Sequence, residues 1–359
     1  MILWLPPLAL LLDLLFADPK RLPHPVQGIG FLADRLEGPA RRIGRCMGRY
    51  MGQRKGPAIS GGIPGAGAEI MAGALALLVL LLTVGGLVAL ITRLPFGLGT
   101  IAAIYCAWSG LALGSLVQKC TDALHAVRTA EADPQHLPTA RQAVGMLVSR
   151  DTNAMNSADL YRSLAESLSE NFNDAFVAPY FWLCLGGPVA LWFYKTASTM
   201  DSMWGYTNER WLYLGRSSAR LDDVLAFIPA RLSALLLWLC AWLLLPRSAF
   251  SVRAWRENAG AGTIFAVPGW PGYAVVREQA RQSASPNAGW PMAAAAWLFG
   301  GRTGGPTVYK DILIHKPLMG REDGAWHYAN TAALIRHVRR SGVLGGFLMT
   351  ILTAFIYLF

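Results

Sequence analysis

The stretch RDTNAMNSADLYRSLAESLSENFNDAFVAPYFW (residues 150–182) decides how this chain is read. At about 100° per residue, a helix over 158–174 places Asp159, Glu166, Glu170 and Asp174 within one arc about 80° wide. Tyr161, Leu164, Leu168 and Phe172 take the opposite side, so the periodicity predicts a helix, with Thr152 or Ser157 as its cap. Carboxylates stacked at i,i+4 spacing repel one another, and Arg162 alone relieves them nearby. Such a face is either solvated or holds a cation. Asn171, Asn173 and Ser163 interleave as further oxygen donors, and oxygen ligands suit a hard divalent cation such as magnesium better than zinc. In a chain of net charge +10, a magnesium or polyphosphate role for this face is the expectation.

Around this stretch the chain is apolar. Its 359 residues are 53% hydrophobic and 15% charged, with mean hydropathy +0.35. Soluble domains carry about a quarter charged residues, so the composition predicts a membrane protein. Ile70–Thr92 and Leu94–Val117 are each long enough to span, and Arg93 and Pro95 predict a tight hairpin between them. Gly342–Phe359 reads as a third span, and Leu232–Pro246, between Arg231 and Arg247, as a shorter fourth. Phe176–Tyr194 has no charge but carries Pro179, Gly186, Gly187 and Pro188, which predicts a broken segment, re-entrant or packed inside the protein. The first 19 residues lack a basic start and are interrupted by Asp13, so they read as a retained short hydrophobic helix. The expected fold is all-α, a polytopic helical membrane protein with about four to six membrane segments, one or more of them broken or re-entrant. It is expected to form a single integral membrane domain over 1–359, with helical motif-bearing loops at 119–175, 196–229 and 277–292 facing the cytoplasm.

The surplus of positive charge does not point to nucleic acid. Arg35, Arg41, Arg42, Arg45, Arg49, Arg54 and Lys55 fall in one stretch before the first long span, where the positive-inside rule explains them as cytoplasmic. Residues 13–30 read as a structured loop at the membrane surface, and 38–69 as a Gly/Pro/Arg-rich loop. Cys46, Cys106, Cys120, Cys184 and Cys240 form no C-x-x-C pair and read as reduced thiols. No P-loop or G-x-S-x-G motif is present, and the histidines lack metal-ligand spacing. Polar motifs cluster outside the spans, which disfavours a transporter. Arginines beside aromatics over 194–234 suit a large planar or anionic ligand, or a helix lying on the membrane surface.

Six stretches in order resemble one family, the membrane-bound adenosylcobinamide-phosphate synthases of cobalamin biosynthesis, of the CobD/CbiB type. They are DPKRLPHPVQGIG (18–30), VSRDT (148–152), ESLSENFNDAFVAPYFW (166–182), GGPVALWFYKTASTMDSMWGY (186–206), RLDDVLAFIPARL (220–232) and SPNAGWPMAA (285–294). The resemblance implies an inner-membrane enzyme joining adenosylcobyric acid to aminopropanol phosphate, or a related amino-alcohol phosphate, through an amide bond. ATP and magnesium are the implied co-reactants. Association with other membrane enzymes of the same pathway, or with a second copy, is the implied partnership besides lipid.

For that chemistry the chain offers Arg150, Asp151, Lys195, Asp201, Asp222 and Asp223 as the candidate catalytic set, with Asp222 or Asp223 taking the amine proton or completing the metal shell. His24, Arg210, Arg220, Arg231, Ser285 and Asn287 are the candidate substrate contacts, and Glu166, Glu170, Asn171 and Asp174 the candidate metal set. The chemistry asks for such residues. Cations neutralise transferring and substrate phosphates, and a carboxylate takes the amine proton. The chain departs from the family pattern at Ser198 and Ala226, where the family carries Asn, at Met292, where it carries Glu, and at Ala175, where it carries Gly. These departures keep a second reading open: a non-catalytic or regulatory relative of the β-lactamase-induction type on the same fold.

Overall fold

A computed structural model of the chain describes residues 3–17, 24–54, 65–244, 272–309 and 312–358. Part of the first family-like motif (18–23), the end of the basic stretch and residues 245–271 lie outside the described residues. The described residues form thirteen α-helices, a short 3-10 helix, a π-helical turn and one β-hairpin. Among the described residues, five helical stretches are long and apolar enough to cross a membrane: Ala66–Ile91, Leu98–Ala132, Ser157–Trp204, Phe227–Leu244 and Tyr328–Leu358. The protein is a polytopic helical membrane protein.

Two N-terminal expectations change. The short apolar helix α1 (Leu5–Phe16) forms as foreseen, but α2 (Pro25–Arg54) is a continuous 30-residue helix through Pro39 where the sequence suggested loops. Small residues explain it. Ala33 and Ala40 are buried, and Gly44 lets α2 approach Ala72 and Glu69 of α3 (Ala66–Ile91) closely. Tertiary packing on α3 thus overrides a poor helix propensity. The turn over 92–97 returns the chain into α4 (Leu98–Ser109) and α5 (Leu113–Ala132). The break between them is held where the Ala112 N–H donates to Ala175 O at 2.9 Å.

The central feature begins with α6 (Leu137–Gly145) and α7 (Ser157–Phe172). Asn156, rather than Thr152 or Ser157, caps α7 by accepting the Asp159 N–H at 2.9 Å. A π-helical turn, Asn173–Val177, leads into α8 (Ala178–Trp204). A straight helix would separate Asp174 from Tyr194 by ~30 Å. Instead the Tyr194 hydroxyl lies 3.5 Å from Asp174 Oδ1, and Ala178 packs with Tyr194 and Ala197. The chain therefore doubles back inside α8. The reversal sits at Gly186 and Gly187, whose φ of −139° and +66° leave the helical region, and Pro188 withholds an N–H there. At the apex, Leu185 O accepts from the Tyr357 hydroxyl at 2.8 Å. The segment predicted as broken is a helical hairpin that returns to the side it left.

Beyond it come α9 (Arg216–Leu225), α10 (Phe227–Leu244), α11 (Tyr273–Arg281) and α12 (Gly289–Phe299). Strands β1 (Arg302–Tyr309) and β2 (Ile312–Gly320) then pair antiparallel, and α13 (Tyr328–Leu358) ends the described chain. The β-hairpin is an addition to the expected all-α class. Leu78, Leu82 and Leu90 of α3, Trp242 of α10 and Phe347, Ile351 and Phe355 of α13 are exposed, as helices facing lipid require.

Candidate active site

The acidic face of α7 is not solvated. Tyr161, Leu164, Leu168 and Phe172 are buried as predicted, yet Ser163, Glu166, Ser167 and Ser169 on the other sides are buried too. The carboxylates divide into three environments. Asp159 pairs with Arg162 at 2.9 Å near the helix start. Glu166, 1% exposed, is ion-paired with Arg150, itself 8% exposed, and its Oε1 accepts the Gly304 N–H at 2.7 Å. Both Glu166 oxygens are thus engaged by protein donors. This corrects its placement among open metal ligands: a buried carboxylate needs a counter-charge, and Arg150 supplies it.

Glu170, Asn171 and Asp174 face a cavity of about 480 Å³, whose lining also includes Arg150, Ser167, Asp201, Ser202, Tyr206 and Lys316. The doubled-back α8 makes this site. It carries Asp201 from the end of the returning limb to the level of Glu170 and Asp174 at the start of the outgoing one. Asp174 Oδ1 accepts from Asn173 Nδ2 at 2.7 Å, and the Asn171 amide donates to Ser167 O at 2.9 Å. Lys195, half-buried on the returning limb, lies within electrostatic reach of Asp174.

Asp222 and Asp223 of α9 stand beside this wall, with Trp182 Nε1 donating to Leu225 O at 3.2 Å to hold α9 on the hairpin. Burial first, then the neighbouring charges of Asp174, Asp201 and Asp223, push the Asp222 carboxyl up to about 8; a hydrogen bond to Ser198 tempers the rise. Asp222 Oδ1 is buried with no hydrogen-bond partner. Burial also raises Asp223, against the pull of exposed Arg220. Ser198, one of the departures, thus still meets the site. Ala226, 1% exposed, packs among Ala178, Tyr194, Ala197 and Leu225, and Met292, 5% exposed, lies in the main core.

The remaining predicted contacts separate. Arg231 Nη1 donates to Phe227 O at 2.6 Å and to Asn287 Oδ1 at 3.3 Å, and Asn287 Nδ2 donates to Asp223 O at 2.9 Å. Ser285 Oγ accepts the Asn287 N–H at 3.2 Å. The sequence-distant motifs 220–232 and 285–294 therefore meet as one polar brace beside Asp223. Arg210 is drawn away from any ligand. Its guanidinium grips Glu37 at 3.0 and 2.7 Å, and with Arg41 it holds that carboxyl below the usual range. Asp151 is exposed and accepts the Asn153 N–H at 2.8 Å, closing a local turn. His24 heads α2, its Nδ1 accepting the Val26 N–H at 3.3 Å. None of Arg210, Asp151 and His24 lines the cavity. Lys316 does, and local spacing does not mark it, because it sits on the second strand of a hairpin whose first strand packs on α7.

Among the described residues, no three His, Cys, Asp or Glu side chains converge closely enough to hold a metal ion alone. The donor set fits a shared ion instead. Magnesium characteristically takes one or two carboxylates, keeps waters and borrows substrate phosphates. Glu170, Asp174 and Asp201, with Asn171 beside them and Arg150 and Lys316 on the same lining, offer that combination.

A family model described as CobD/Cbib protein matches residues 6–339. Cobalamin biosynthesis protein CobD of Pelobacter propionicus is 35% identical over 319 residues, covering 87% of this chain and 83% of that protein. The Stutzerimonas stutzeri protein of the same name is 36% identical over 318 residues, covering 87% and 86%. Cobalamin biosynthesis protein CbiB of Salmonella typhi is 30% identical over 316 residues, covering 87% and 85%. No solved structure matches the chain. With every cavity-lining element inside the matched span, the chain belongs to the CobD/Cbib family of cobalamin biosynthesis proteins.

Proposed function

We propose that this protein forms the amide bond between adenosylcobyric acid and aminopropanol phosphate, or a related amino-alcohol phosphate, giving adenosylcobinamide phosphate at the cytoplasmic face of the inner membrane. ATP is the co-substrate and magnesium the metal. The observation that carries this reading is the meeting of Glu170, Asp174 and Asp201 with Arg150 and Lys316 around one cavity. A carboxylate resists an amine until its oxygen becomes a good leaving group, and phosphorylation by ATP makes it one. The amine then attacks the carbonyl carbon, phosphate departs with the carboxylate oxygen, and the amine proton goes to a nearby base. When bound, magnesium would neutralise phosphate oxygens during phosphoryl transfer.

The chain's own groups supply the rest. Glu170, Asp174 and Asn171 would hold the metal, while Lys316 and Lys195 face phosphate charge. Asp222, whose proton affinity burial and neighbouring carboxylates raise, would accept the amine proton, with Asp223 next to it. At about 480 Å³ the cavity is of ordinary small-ligand size, about 300–1,000 Å³. It accommodates phosphates and the reacting ends, so the corrin ring rests at the mouth, beside exposed Tyr206. The regulatory alternative draws on Ala226 and Met292, but those side chains pack in apolar surroundings while the polar residues of the other motifs remain assembled. The test is purified protein given adenosylcobyric acid, aminopropanol phosphate, ATP and magnesium, then each omitted in turn. Adenosylcobinamide phosphate should appear only in the complete mixture; folded protein yielding none contradicts the proposal.

A further inference from the structure

A second cavity, of about 310 Å³, lies where α1, α5 and α13 meet, and it shares no residue with the candidate active site. One close crossing builds it. Asp13 Oδ2 accepts the Gly114 N–H at 2.9 Å, and Asp13 O stands where a side chain at Gly114 would go, so only glycine lets α1 come this near α5. Helix α1 then stops at Ala17, whose φ of +49° turns the chain aside. A notch is left between the last turn of α1, the Gly114–Asp122 side of α5, and Arg339 of α13.

Its level along the spans gives the notch a meaning. On α13, Arg339 shares a face with exposed Val343 and Phe347, and no charge follows Arg340. On α1, Leu11, Leu15 and Phe16 are exposed, and Phe16 packs edge-on against Trp108 at 6.3 Å. From Leu98 to Gln118 the α4–α5 stretch carries no charge, and Lys119 and Asp122 follow. All three elements thus pass from lipid-facing to polar surface at this one place, the level at which phospholipid headgroups lie. Asp122 and Arg339 are both exposed there, and among the described residues neither side chain forms a hydrogen bond or ion pair. A guanidinium forks onto phosphate oxygens, and a carboxylate takes an ammonium. One charge of each sign matches a headgroup that carries both, and Asp122 repels a purely anionic one.

We propose that this notch binds the headgroup of an aminophospholipid, phosphatidylethanolamine in kind, with Arg339 on the phosphate, Asp122 on the ammonium and the acyl chains along Leu15 and Phe16. The inference stands apart from the ligase reading. Purified full-length protein in detergent is titrated with phosphatidylethanolamine and followed by native mass spectrometry, beside phosphatidylglycerol and phosphatidylcholine of the same acyl chains. Wild type should hold one phosphatidylethanolamine about tenfold more tightly than either of the others. Arg339→Gln should weaken that binding about tenfold to a hundredfold, the loss of one charge-assisted contact, and Arg339→Lys should weaken it less. Asp122→Asn should lose the preference and bind phosphatidylglycerol as well as phosphatidylethanolamine. Arg93→Gln, exposed in the turn before α4 and outside the notch, serves as the control and should change nothing. Equal binding of the three lipids by wild type overturns the inference, and so does an unchanged preference in folded Asp122→Asn. Soluble phosphoethanolamine that displaces the lipid at equal concentration overturns it too, because the notch then takes a free amino-alcohol phosphate and not a lipid.

Discussion

The turn of α7 around Glu166 and the next turn and a half, through Glu170 to Asp174, carry the same kind of residue at the same helical spacing. The fold completes the first and leaves the second open. Glu166 is sealed between Arg150 and the Gly304 N–H, with no room for a ligand. Glu170 and Asp174 look into a cavity with Asp201, and nearby Asp222 keeps an oxygen with no partner. A satisfied buried ion pair holds structure, whereas clustered carboxylates that repel one another strain it and are tolerated where they bind something. Periodicity reveals a shared face, but the partner across the gap decides what each residue does.

The sharpest way to break this comparison is to remove one side of the sealed pair. Glu166→Ala leaves Arg150 buried without its counter-charge and should cost about 3–5 kcal/mol of stability. Arg150→Ala should cost about as much, and the double variant less than the sum of the two. Denaturation in detergent measures all three. Additive losses would mean the pair is not coupled. On the open side the pattern should invert. Glu170→Gln and Asp201→Asn should lower amide formation about a hundredfold while leaving unfolding unchanged or raised, since each removes like-charge repulsion.

The departures give a smaller effect. Ala226→Asn should cost about 1–3 kcal/mol, because the amide would sit unpaired among Ala178, Tyr194 and Leu225. Met292→Glu should destabilise as well, for want of a counter-charge in the core. A rise in synthase activity in the double variant, with stability intact, would instead make both positions lost substrate contacts.

Asp222 supplies the pH dependence. Its carboxyl is raised from 3.8 to about 8 in the folded protein, so the folded state holds a proton that the unfolded chain has released. Stability of the ligand-free protein should therefore fall as pH rises from about 4 to about 8, then level off. Asp222→Asn should flatten that slope. Amide formation should move the other way, rising as pH passes about 8 and Asp222 becomes a competent base. At the far end, Arg210→Gln should leave the pH profile of amide formation as it is, because Arg210 grips Glu37 away from the cavity.

Much of this was legible in local sequence. The 3.6-residue periodicity located α7, and Gly186-Gly187-Pro188 located the reversal that makes a site from residues 27 positions apart. The face of α7 was legible too, but not its division between sealed and open. Arg150 reaches Glu166 over 16 residues, and Gly304 reaches it over 138, so spacing could assign neither contact. Lys316 stayed hidden for the same reason. Helix α2 reads as loop in the sequence because its glycines and Pro39 signal turns, and only α3 lying against them makes it a helix. His24 and Asp151 lie in family-like motifs and Arg210 is a cation among aromatics, yet in the fold they engage local backbone or Glu37 away from the cavity.

Steady-state amide formation by wild type and Asp174→Asn, with thermal unfolding of both in the same detergent, tests the central claim most directly. The account predicts ATP-dependent adenosylcobinamide phosphate from wild type. It predicts a rate at least about a hundredfold lower from Asp174→Asn, which should unfold at the same temperature or higher. Asp174→Asn working at the wild-type rate while unfolding at a lower temperature would make the open carboxylates a structural face and contradict the account.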